Sequence, residues 1–153
     1  MKVGTLTTKA DQVVANIILT NAPTTKATFI NSVVPYLNGA TYYHSIVSGA
    51  EGNPVTGKNN ILLYTGETEP AKVGGNIWVK SSMFENNKYK IEDTNVIEKL
   101  KEAHPLSKSD LGNTQIDEDY LEEDILSRER AEADDKNAKV SYGPYEYNEY
   151  LDD

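Results

Sequence analysis

Residues 40–47 of the chain read ATYYHSIV, a run of β-branched and aromatic residues that is typical of a β-strand. The same composition returns in NILLYT (residues 60–65), NIWVKS (residues 76–81) and KYKIE (residues 88–92). Connections rich in glycine, proline and asparagine separate these four stretches. We therefore expect a small, mainly antiparallel sheet that is built from strands close together in sequence.

The N-terminal residues 5–23 are predicted to form a helix that Pro23 limits at its far end. Leu6, Val13 and Ile17 belong to an apolar stripe at four- and three-residue spacing. The stripe fits either a helix that faces the core or a seam through which two copies of the chain associate. A β-strand through VVANIIL (residues 13–19) is the third interpretation, because this segment is rich in β-branched residues.

Two further helices are expected on either side of the predicted strands. TTKATFINSVV (residues 24–34) places its apolar residues on one helical face, and Pro35 should end it. DTNVIEKLKEAHP (residues 93–105) begins with capping residues and ends at a proline. Strands and helices together predict an α+β fold for a compact body, residues 1–105.

The distribution of charge divides the chain into two parts. Residues 1–105 contain nine acids and ten bases, which gives a formal charge of +1, whereas residues 106–153 contain fifteen acids and five bases, which gives −10. The two values add up to the net charge of −9 for the whole chain. We therefore predict a body at residues 1–105 and an acidic arm at residues 106–153 that meets another molecule.

The arm is predicted to be extended in part and helical in IDEDYLEEDILSRERAEADDKNA (residues 116–138). An acidic segment with few apolar side chains does not form a core of its own, so we expect a partner protein to hold it. Tyrosine offers a large contact area at a modest cost in side-chain entropy. The predicted partner-binding residues are Tyr120, Leu121, Ile125, Tyr142, Tyr145, Tyr147 and Tyr150, and the predicted oligomerisation residues are Leu6, Val13 and Ile17.

Residue patterns of known catalytic and metal sites are missing from the sequence. His44 and His104 are the two histidines, and neither stands at a hydrolase or metal-binding spacing, so structural roles are predicted for both. The acidic run at residues 117–124 departs from a calcium loop because Glu122 occupies the position that requires glycine. The chain has no cysteine. We predict no enzyme activity, no cofactor and no metal.

The total composition narrows the class of partner. The acidic balance disfavours direct nucleic-acid binding, since phosphate contacts need clustered lysine and arginine. Residues 13–19, the most apolar window, are too few to cross a membrane, and no signal peptide is visible. We expect a soluble protein whose partners are proteins.

Two stretches resemble bacteriophage virion proteins. TLTTKADQVV (residues 5–14) is similar to the Lys-Ala-Asp segments that introduce trimeric fibre modules. TEPAKVGGNIWVKSS (residues 68–82) resembles a Pro, Val-Gly-Asp-Ile-Trp pattern of phage tail and fibre appendages, with Asn76 where that pattern has aspartate. The resemblance implies a structural, non-enzymatic virion component that assembles as a homo-oligomer.

The leading hypothesis is thus an assembly protein: a small fibre, decoration or connector protein of a virion, whose acidic arm clasps neighbouring subunits. An inhibitor whose acids imitate nucleic acid and occupy a basic groove is an alternative from another class. A carbohydrate-binding module is a third hypothesis, and it requires an exposed indole at Trp78.

Overall fold

Short parallel strands account for most of the regular structure in the computed structural model, which describes residues 2–85, 88–89, 98–111, 119–130 and 139–146. Sheet A contains six strands in the order β1 (Lys2–Val3), β3 (Ile18–Leu19), β5 (Val33–Pro35), β7 (Ile46–Ser48), β9 (Ile61–Tyr64) and β10 (Ile77–Lys80). Sheet B contains four strands in the order β2 (Val13–Ala15), β4 (Thr28–Ile30), β6 (Thr41–Tyr43) and β8 (Thr56–Lys58).

From β1 to β9 the chain alternates between the two sheets and returns to each sheet one strand further along, and β10 then follows β9 in sheet A. Register partners in sheet B are Val13, Thr28, Thr41 and Thr56, so that successive coils are 15, 13 and 15 residues long. All of these pairs are parallel, as are the pairs within sheet A. Parallel strands that stack coil upon coil in this way define a β-solenoid.

Side chains that point into the solenoid form its apolar core. Sheet A contributes Val34, Val47, Leu62 and Trp78, which are neighbours in register. Sheet B contributes Phe29 and Tyr42, whose rings stack at 5.7 Å between centroids. Because alternate residues of a strand point to opposite faces, the residues between these core positions lie on the outer faces of the two sheets.

Polar side chains inside the turn from sheet B to sheet A form a ladder along the solenoid. The members of this polar ladder are Ser32, Ser45, Asn60 and Asn76. Each accepts a hydrogen bond from the backbone N–H one coil earlier, at 3.2, 3.3, 2.9 and 3.0 Å respectively. The ladder satisfies backbone groups that the turn between strands leaves without a strand partner.

Side chains also form contacts at the first and last coils of the solenoid. At the first coil, Thr8 accepts a hydrogen bond from the Thr25 N–H at 2.8 Å and donates one to the Thr25 carbonyl. At the last coil, the Trp78 indole N–H donates to the Ala71 carbonyl at 3.0 Å, and the Tyr64 ring meets the indole edge-on.

The remaining described elements are small. A 3₁₀ turn at Ser81–Met83 follows β10, and β11 (Phe84–Glu85) and β12 (Lys88–Tyr89) form an antiparallel pair. Residues 98–100 are helical, and two four-residue helices follow at α1 (Lys108–Leu111) and α2 (Asp119–Glu122). Residues 98–111, 119–130 and 139–146 lie against the solenoid and are called the strap below.

The prediction of an α+β fold with a mainly antiparallel sheet is wrong. The segment at residues 5–23 forms β2 and β3, and that at residues 24–34 forms β4 and most of β5, with Pro35 as the last residue of β5. Three of the four stretches predicted as strands after residue 40 form β6, β7, β9 and β10, but these pair in parallel with strands of neighbouring coils. The fourth, residues 88–92, contributes β12 to the antiparallel pair, and its residues 90–92 lie outside the described residues. A parallel coil places these strands side by side without hairpins, which sequence composition alone does not distinguish.

Two predicted helices are only partly within the described residues. Of residues 93–105, the positions 98–100 are helical, and the earlier positions lie outside the described residues. Of residues 116–138, Asp119–Glu122 form α2, and a turn at residues 124–128 follows it. An antiparallel bridge between Glu123 and Glu129 closes that turn, so a continuous helix through this segment is excluded.

Candidate functional site: the solenoid corner, its strap and the groove on sheet A

The corner at which each coil passes from sheet B to sheet A carries a column of residues with left-handed backbone conformation. These residues, the corner column, are Asn16, Asn31, His44 and Asn59, with φ angles of 58°, 49°, 49° and 62°. Asparagine is among the few non-glycine residues that favour this conformation, and histidine is also enriched there. The corner column therefore presents polar side chains at each turn.

Asn31 is the first point at which the strap is attached to the corner column. Its Nδ2 donates to the carbonyl oxygens of Tyr120 and Glu123, at 2.8 and 2.7 Å. Its Oδ1 accepts from Nη2 of Arg130 at 2.7 Å. Asn31 is fully buried, so these bonds replace all contact of the amide with water.

Arg130 joins two parts of the strap to the corner. Its Nη1 donates to the Ser141 carbonyl at 3.2 Å, and its Nη2 donates to the Gly143 carbonyl at 2.9 Å. The residue is only 1% exposed. A buried guanidinium is costly to place, and it is retained only where its hydrogen-bond acceptors are held in fixed positions.

Asn59 and His44 form the second attachment. Nδ2 of Asn59 donates to the His104 carbonyl at 2.9 Å and lies 3.3 Å from Nε2 of His44. The Gly143 N–H donates to the Asn59 carbonyl at 2.8 Å. Nδ1 of His44 lies 3.1 Å from the Ser141 carbonyl.

The partners of His44 fix the position of its proton. A carbonyl oxygen only accepts, so Nδ1 carries the hydrogen that is donated to Ser141, and Nε2 accepts from the Asn59 amide. Burial lowers the pKa of His44 well below 6.5, and the neighbouring Arg130 charge lowers it further. Hydrogen bonds to backbone carbonyls oppose this shift without reversing it. His44 is therefore neutral at pH 7.

Asp124 organises the strap itself. Its Oδ1 accepts the N–H groups of Leu126 and Arg128, both at 2.9 Å, and its Oδ2 accepts the Arg128 Nε at 2.9 Å. The same Oδ2 accepts the Glu146 N–H at 2.8 Å. Asp124 thus fixes the turn at residues 124–128 to the last described residue of the chain.

Apolar contacts cover both outer faces of the solenoid beside the corner. On sheet A, Ile46, Ile61 and Val79 form one cluster with Leu100 and Tyr145 of the strap. On sheet B, another cluster forms between the strands and the strap; its buried members are Ile30, Tyr43, Leu111 and Leu121. The strap therefore straddles the corner column and packs on both sheets.

The outer face of sheet A also carries an apolar groove. Its volume is about 300 Å³, and Ile18, Val33, Ile46 and Leu63 supply its apolar lining, with Thr20 and Ser48 among the polar residues at its edge. Val33 and Leu63 also pack against the cluster that contains Tyr145. The groove is therefore continuous with the surface that the strap covers.

The structure places the predicted partner-binding residues of the arm as follows. Leu121 and Tyr145 are buried against the solenoid, Ile125 and Tyr142 are half-buried in the sheet A cluster, and Tyr120 is 44% exposed. Tyr147 and Tyr150 lie outside the described residues. Four of the predicted anchors therefore make their contacts within this chain.

The predicted oligomerisation residues do not form one seam. Ile17 is buried in the solenoid core, and Leu6 packs against that core at the first coil. Val13 lies on the opposite, outer side of sheet B, where it packs against the cluster of Leu111 and Leu121. The structure brings Leu6 and Ile17 to one core and places Val13 elsewhere.

Trp78 is 8% exposed and lies in the core, with its N–H bonded to Ala71. The exposed indole that a carbohydrate-binding module requires is therefore not present at Trp78. In the motif around it, Asn76 caps the polar ladder and Gly75 accepts the Asn59 N–H at 2.7 Å. The residues that resemble a phage appendage pattern thus build the last coil.

The histidines differ in their surroundings. His44 is buried at the corner between β6 and β7, not within a strand. His104 is exposed, and its Nε2 lies 2.7 Å from Nζ of Lys139. Among the described residues, no three histidine or carboxylate side chains come together in a cluster that could hold a metal ion.

Sequence reasoning missed Asn31, Asn59 and Arg130 as attachment points. The signal for the corner column is an asparagine or histidine, followed in three of the four coils by a second polar residue and then by apolar residues, at Asn16-Ile17, Asn31-Ser32, His44-Ser45 and Asn59-Asn60. A search for repeats shorter than twenty residues would have found this pattern at spacings of 15, 13 and 15.

Comparison with protein-family models, with curated proteins and with solved structures found no match for this chain. In the part of the chain that the structure describes, no helix has the length and apolar character needed to cross a membrane.

Proposed function

We propose that this chain is a structural protein that assembles with copies of itself through the outer face of sheet A. The observation that carries the proposal is the apolar groove lined by Ile18, Val33, Ile46 and Leu63. Apolar surface that lies in a groove and is left uncovered by the described residues favours a protein partner.

The occupant that we propose is the tyrosine-bearing end of a second copy, with Tyr147 and Tyr150 as anchors. Tyr142 and Tyr145, from the same stretch of sequence, already pack on the outer face of sheet A beside the groove. Aromatic side chains of this segment thus match the aliphatic surface that the strands present. The resemblance of residues 5–14 and 68–82 to virion appendages favours a bacteriophage virion as the setting.

Sedimentation velocity over a wide concentration range tests the proposal. The wild-type chain is expected to associate as its concentration rises, and both Ile18→Glu and the pair Tyr147→Ala, Tyr150→Ala are expected to remain monomeric. Thr41→Glu is the matched control, because Thr41 is also half-buried on an outer strand face, but on sheet B. A wild-type chain that stays monomeric throughout would contradict the proposal.

A monomer whose groove is filled by its own terminal residues is a separate outcome. In that case a hydrophobic dye would bind to the groove of the Tyr147→Ala, Tyr150→Ala variant but not to the groove of the wild-type monomer. That result would replace the second copy with the chain itself as the occupant, and it would overturn assembly through this face.

A further inference from the structure

The corner column contains one titratable member. Asn16, Asn31 and Asn59 share its left-handed conformation with His44, and asparagine has no ionisable group. His44 stands where the strap crosses the corner, and both of its ring nitrogens are engaged. The fold therefore places a proton-binding group in the contact between solenoid and strap.

We propose that His44 is a proton-controlled latch, which holds the strap on the solenoid corner when it is neutral and releases residues 139–146 in mildly acidic solution. The proposal concerns a single molecule and does not depend on assembly. Its geometry is the set of hydrogen bonds that converge on Ser141, Gly143 and Asn59.

A second proton on the imidazole would face a hydrogen-bond donor in the docked arrangement. It would be added at Nε2, which now faces the Nδ2 donor of Asn59 at 3.3 Å. Rotating the Asn59 amide to present its oxygen would break the 2.9 Å bond from Nδ2 to the His104 carbonyl. Protonation therefore places two hydrogen-bond donors, Nε2 of His44 and Nδ2 of Asn59, face to face in a buried site.

The charge of the imidazolium would also be unfavourable where it stands. His44 is 1% exposed, and the Arg130 guanidinium that donates to the same Ser141 carbonyl carries a positive charge. Moving residues 139–146 away would expose the imidazole to water and would separate it from Ser141. The released state thus binds the proton more readily than the docked state.

The pH range follows from the direction of the pKa shift. Burial lowers the pKa of docked His44 well below 6.5, whereas an exposed histidine titrates near 6.5. The docked state therefore binds fewer protons, and its stability is complete above pH 6.5 and falls as the pH falls below that value. Each pH unit in that range shifts the docking equilibrium about tenfold towards release.

Other charged groups on the elements packed around His44 come from the strap and from sheet B. They are Arg130, Glu146, Asp124, His104, Lys139, Lys58 and Asp110. His104, the other histidine, is exposed.

Release would enlarge the surface proposed for assembly. Tyr145 and Leu100 cover Ile46 and Ile61 on the outer face of sheet A, and Ile46 also lines the groove. Undocking of residues 139–146 would remove Tyr145 and leave more of this aliphatic surface uncovered. This consequence, promotion of assembly by acid, rests on the proposed function.

Amide hydrogen exchange of the full-length monomer measures the latch directly. The Tyr142 N–H donates to the Leu100 carbonyl at 2.6 Å and the Gly143 N–H donates to the Asn59 carbonyl at 2.8 Å, so both report docking of residues 139–146. Their protection factors, which correct for the intrinsic effect of pH, are expected to fall about tenfold between pH 7.5 and pH 5.5.

Matched variants separate the two histidines. His44→Asn, which installs the residue found elsewhere in the column, is expected to abolish the fall, and His104→Asn is expected to leave it unchanged. Constant protection in the wild-type chain, or an undiminished fall in His44→Asn, would overturn the proposal. An NMR titration of the wild-type His44 ring serves if the variant does not fold, and titration near pH 6.5 with Gly143 still protected would also overturn it.

Sedimentation velocity of the same samples distinguishes failure of the His44 latch from failure of assembly through sheet A. Loss of protection without any association supports the latch and contradicts assembly through sheet A. Association that is unchanged by pH, together with constant protection, contradicts the latch alone.

Discussion

Nη2 of Arg130 lies 2.7 Å from Oδ1 of Asn31, although the two residues are 99 positions apart in sequence. Asn31 belongs to the second coil of the corner column, and Arg130 belongs to the acidic part of the chain. The two side chains are buried. This contact shows that the C-terminal part of the chain is built into the fold of the solenoid.

The polar ladder predicts a large effect of removing Asn60. Its Oδ1 accepts the Ser45 N–H at 2.9 Å, and its Nδ2 donates to the Tyr42 carbonyl at 2.7 Å. Asn60→Ala leaves two buried backbone groups without these bonds, and we expect a loss of about 2–4 kcal/mol in the free energy of unfolding. Urea denaturation measures it. Asn53→Ala is the control, since Asn53 is exposed and its bond to Glu51 is 3.3 Å long; a similar loss there would count against the ladder.

Gly57 is expected to tolerate no side chain. A Cβ at this position would lie 1.8 Å from the Tyr42 carbonyl oxygen, and its φ of 113° disfavours other residues. Gly57→Ala should therefore destabilise the fold by at least about 3 kcal/mol, because the coils at β6 and β8 must separate. Thermal unfolding compares it with Gly66→Ala, where no atom lies within 4 Å. Equal midpoints for the two variants would show that the coils are not packed as described.

Ionisation of the buried Tyr42 hydroxyl is expected to destabilise the fold at alkaline pH. Burial raises its pKa to about 12 from 10.0, and its hydroxyl accepts the Leu37 N–H at 2.8 Å. The unfolded chain releases the proton at lower pH, so stability that is present below pH 10 is lost as the pH rises towards 12, by on the order of 2 kcal/mol. Denaturation at pH 9 and pH 11.5 measures the loss. It should be smaller in Tyr42→Phe and unchanged in Tyr120→Phe, whose ring is 44% exposed.

We expect the stability of the strap to depend on the carboxylate of Asp124. In the wild-type chain each carboxylate oxygen of Asp124 accepts two hydrogen bonds. Asp124→Asn removes the negative charge and replaces one of these oxygens with an NH₂ group, which donates and does not accept. We expect a loss of about 2–4 kcal/mol in the stability of the strap. Amide exchange at Leu126 and Glu146 measures it. Glu123→Gln, an exposed neighbour, should change exchange little, and an effect as large as that of Asp124→Asn would contradict this role.

Strand composition could be recognised from sequence, whereas strand pairing could not. Residues 40–47 and 60–65 were correctly identified as strand-forming, because their β-branched and aromatic residues fit a pleated surface. Pairing depends on where the next coil passes, and the coil length varies between 13 and 15 in sheet B. The repeat is also harder to see in the sequence because one coil has His44 where the other three have asparagine.

The helix predictions for residues 5–23 and 24–34 failed because short buried strands imitate a helical stripe. In residues 13–19, Val13 and Val14 lie on opposite faces of β2, and Ile17 points into the core at the corner. Apolar residues on both faces of a strand, interrupted by Asn16, produce spacings of three and four. The sequence also contains no sign of which surface receives the acidic segment, because Asn31 and Arg130 are far apart along the chain.

Asp124 and Arg128 stand four residues apart, the spacing of an ion pair on a helix, and their side chains form an ion pair at 2.9 Å. The backbone between them is a turn in which Ser127 has a φ of 60°. A turn closed by a carboxylate brings the same two positions together as a helix does. Spacing alone therefore does not identify the element.

A double-mutant cycle between Asn31 and Arg130 tests the attachment of the strap most directly. Asn31→Gly, Arg130→Leu and the combined variant are compared with the wild-type chain by urea denaturation at a concentration where the protein is monomeric. The account predicts that the effects are not additive, with a coupling of at least about 1 kcal/mol, because one hydrogen bond joins the two residues. Effects that add within about 0.3 kcal/mol would show that the strap is not held at the corner in the single molecule.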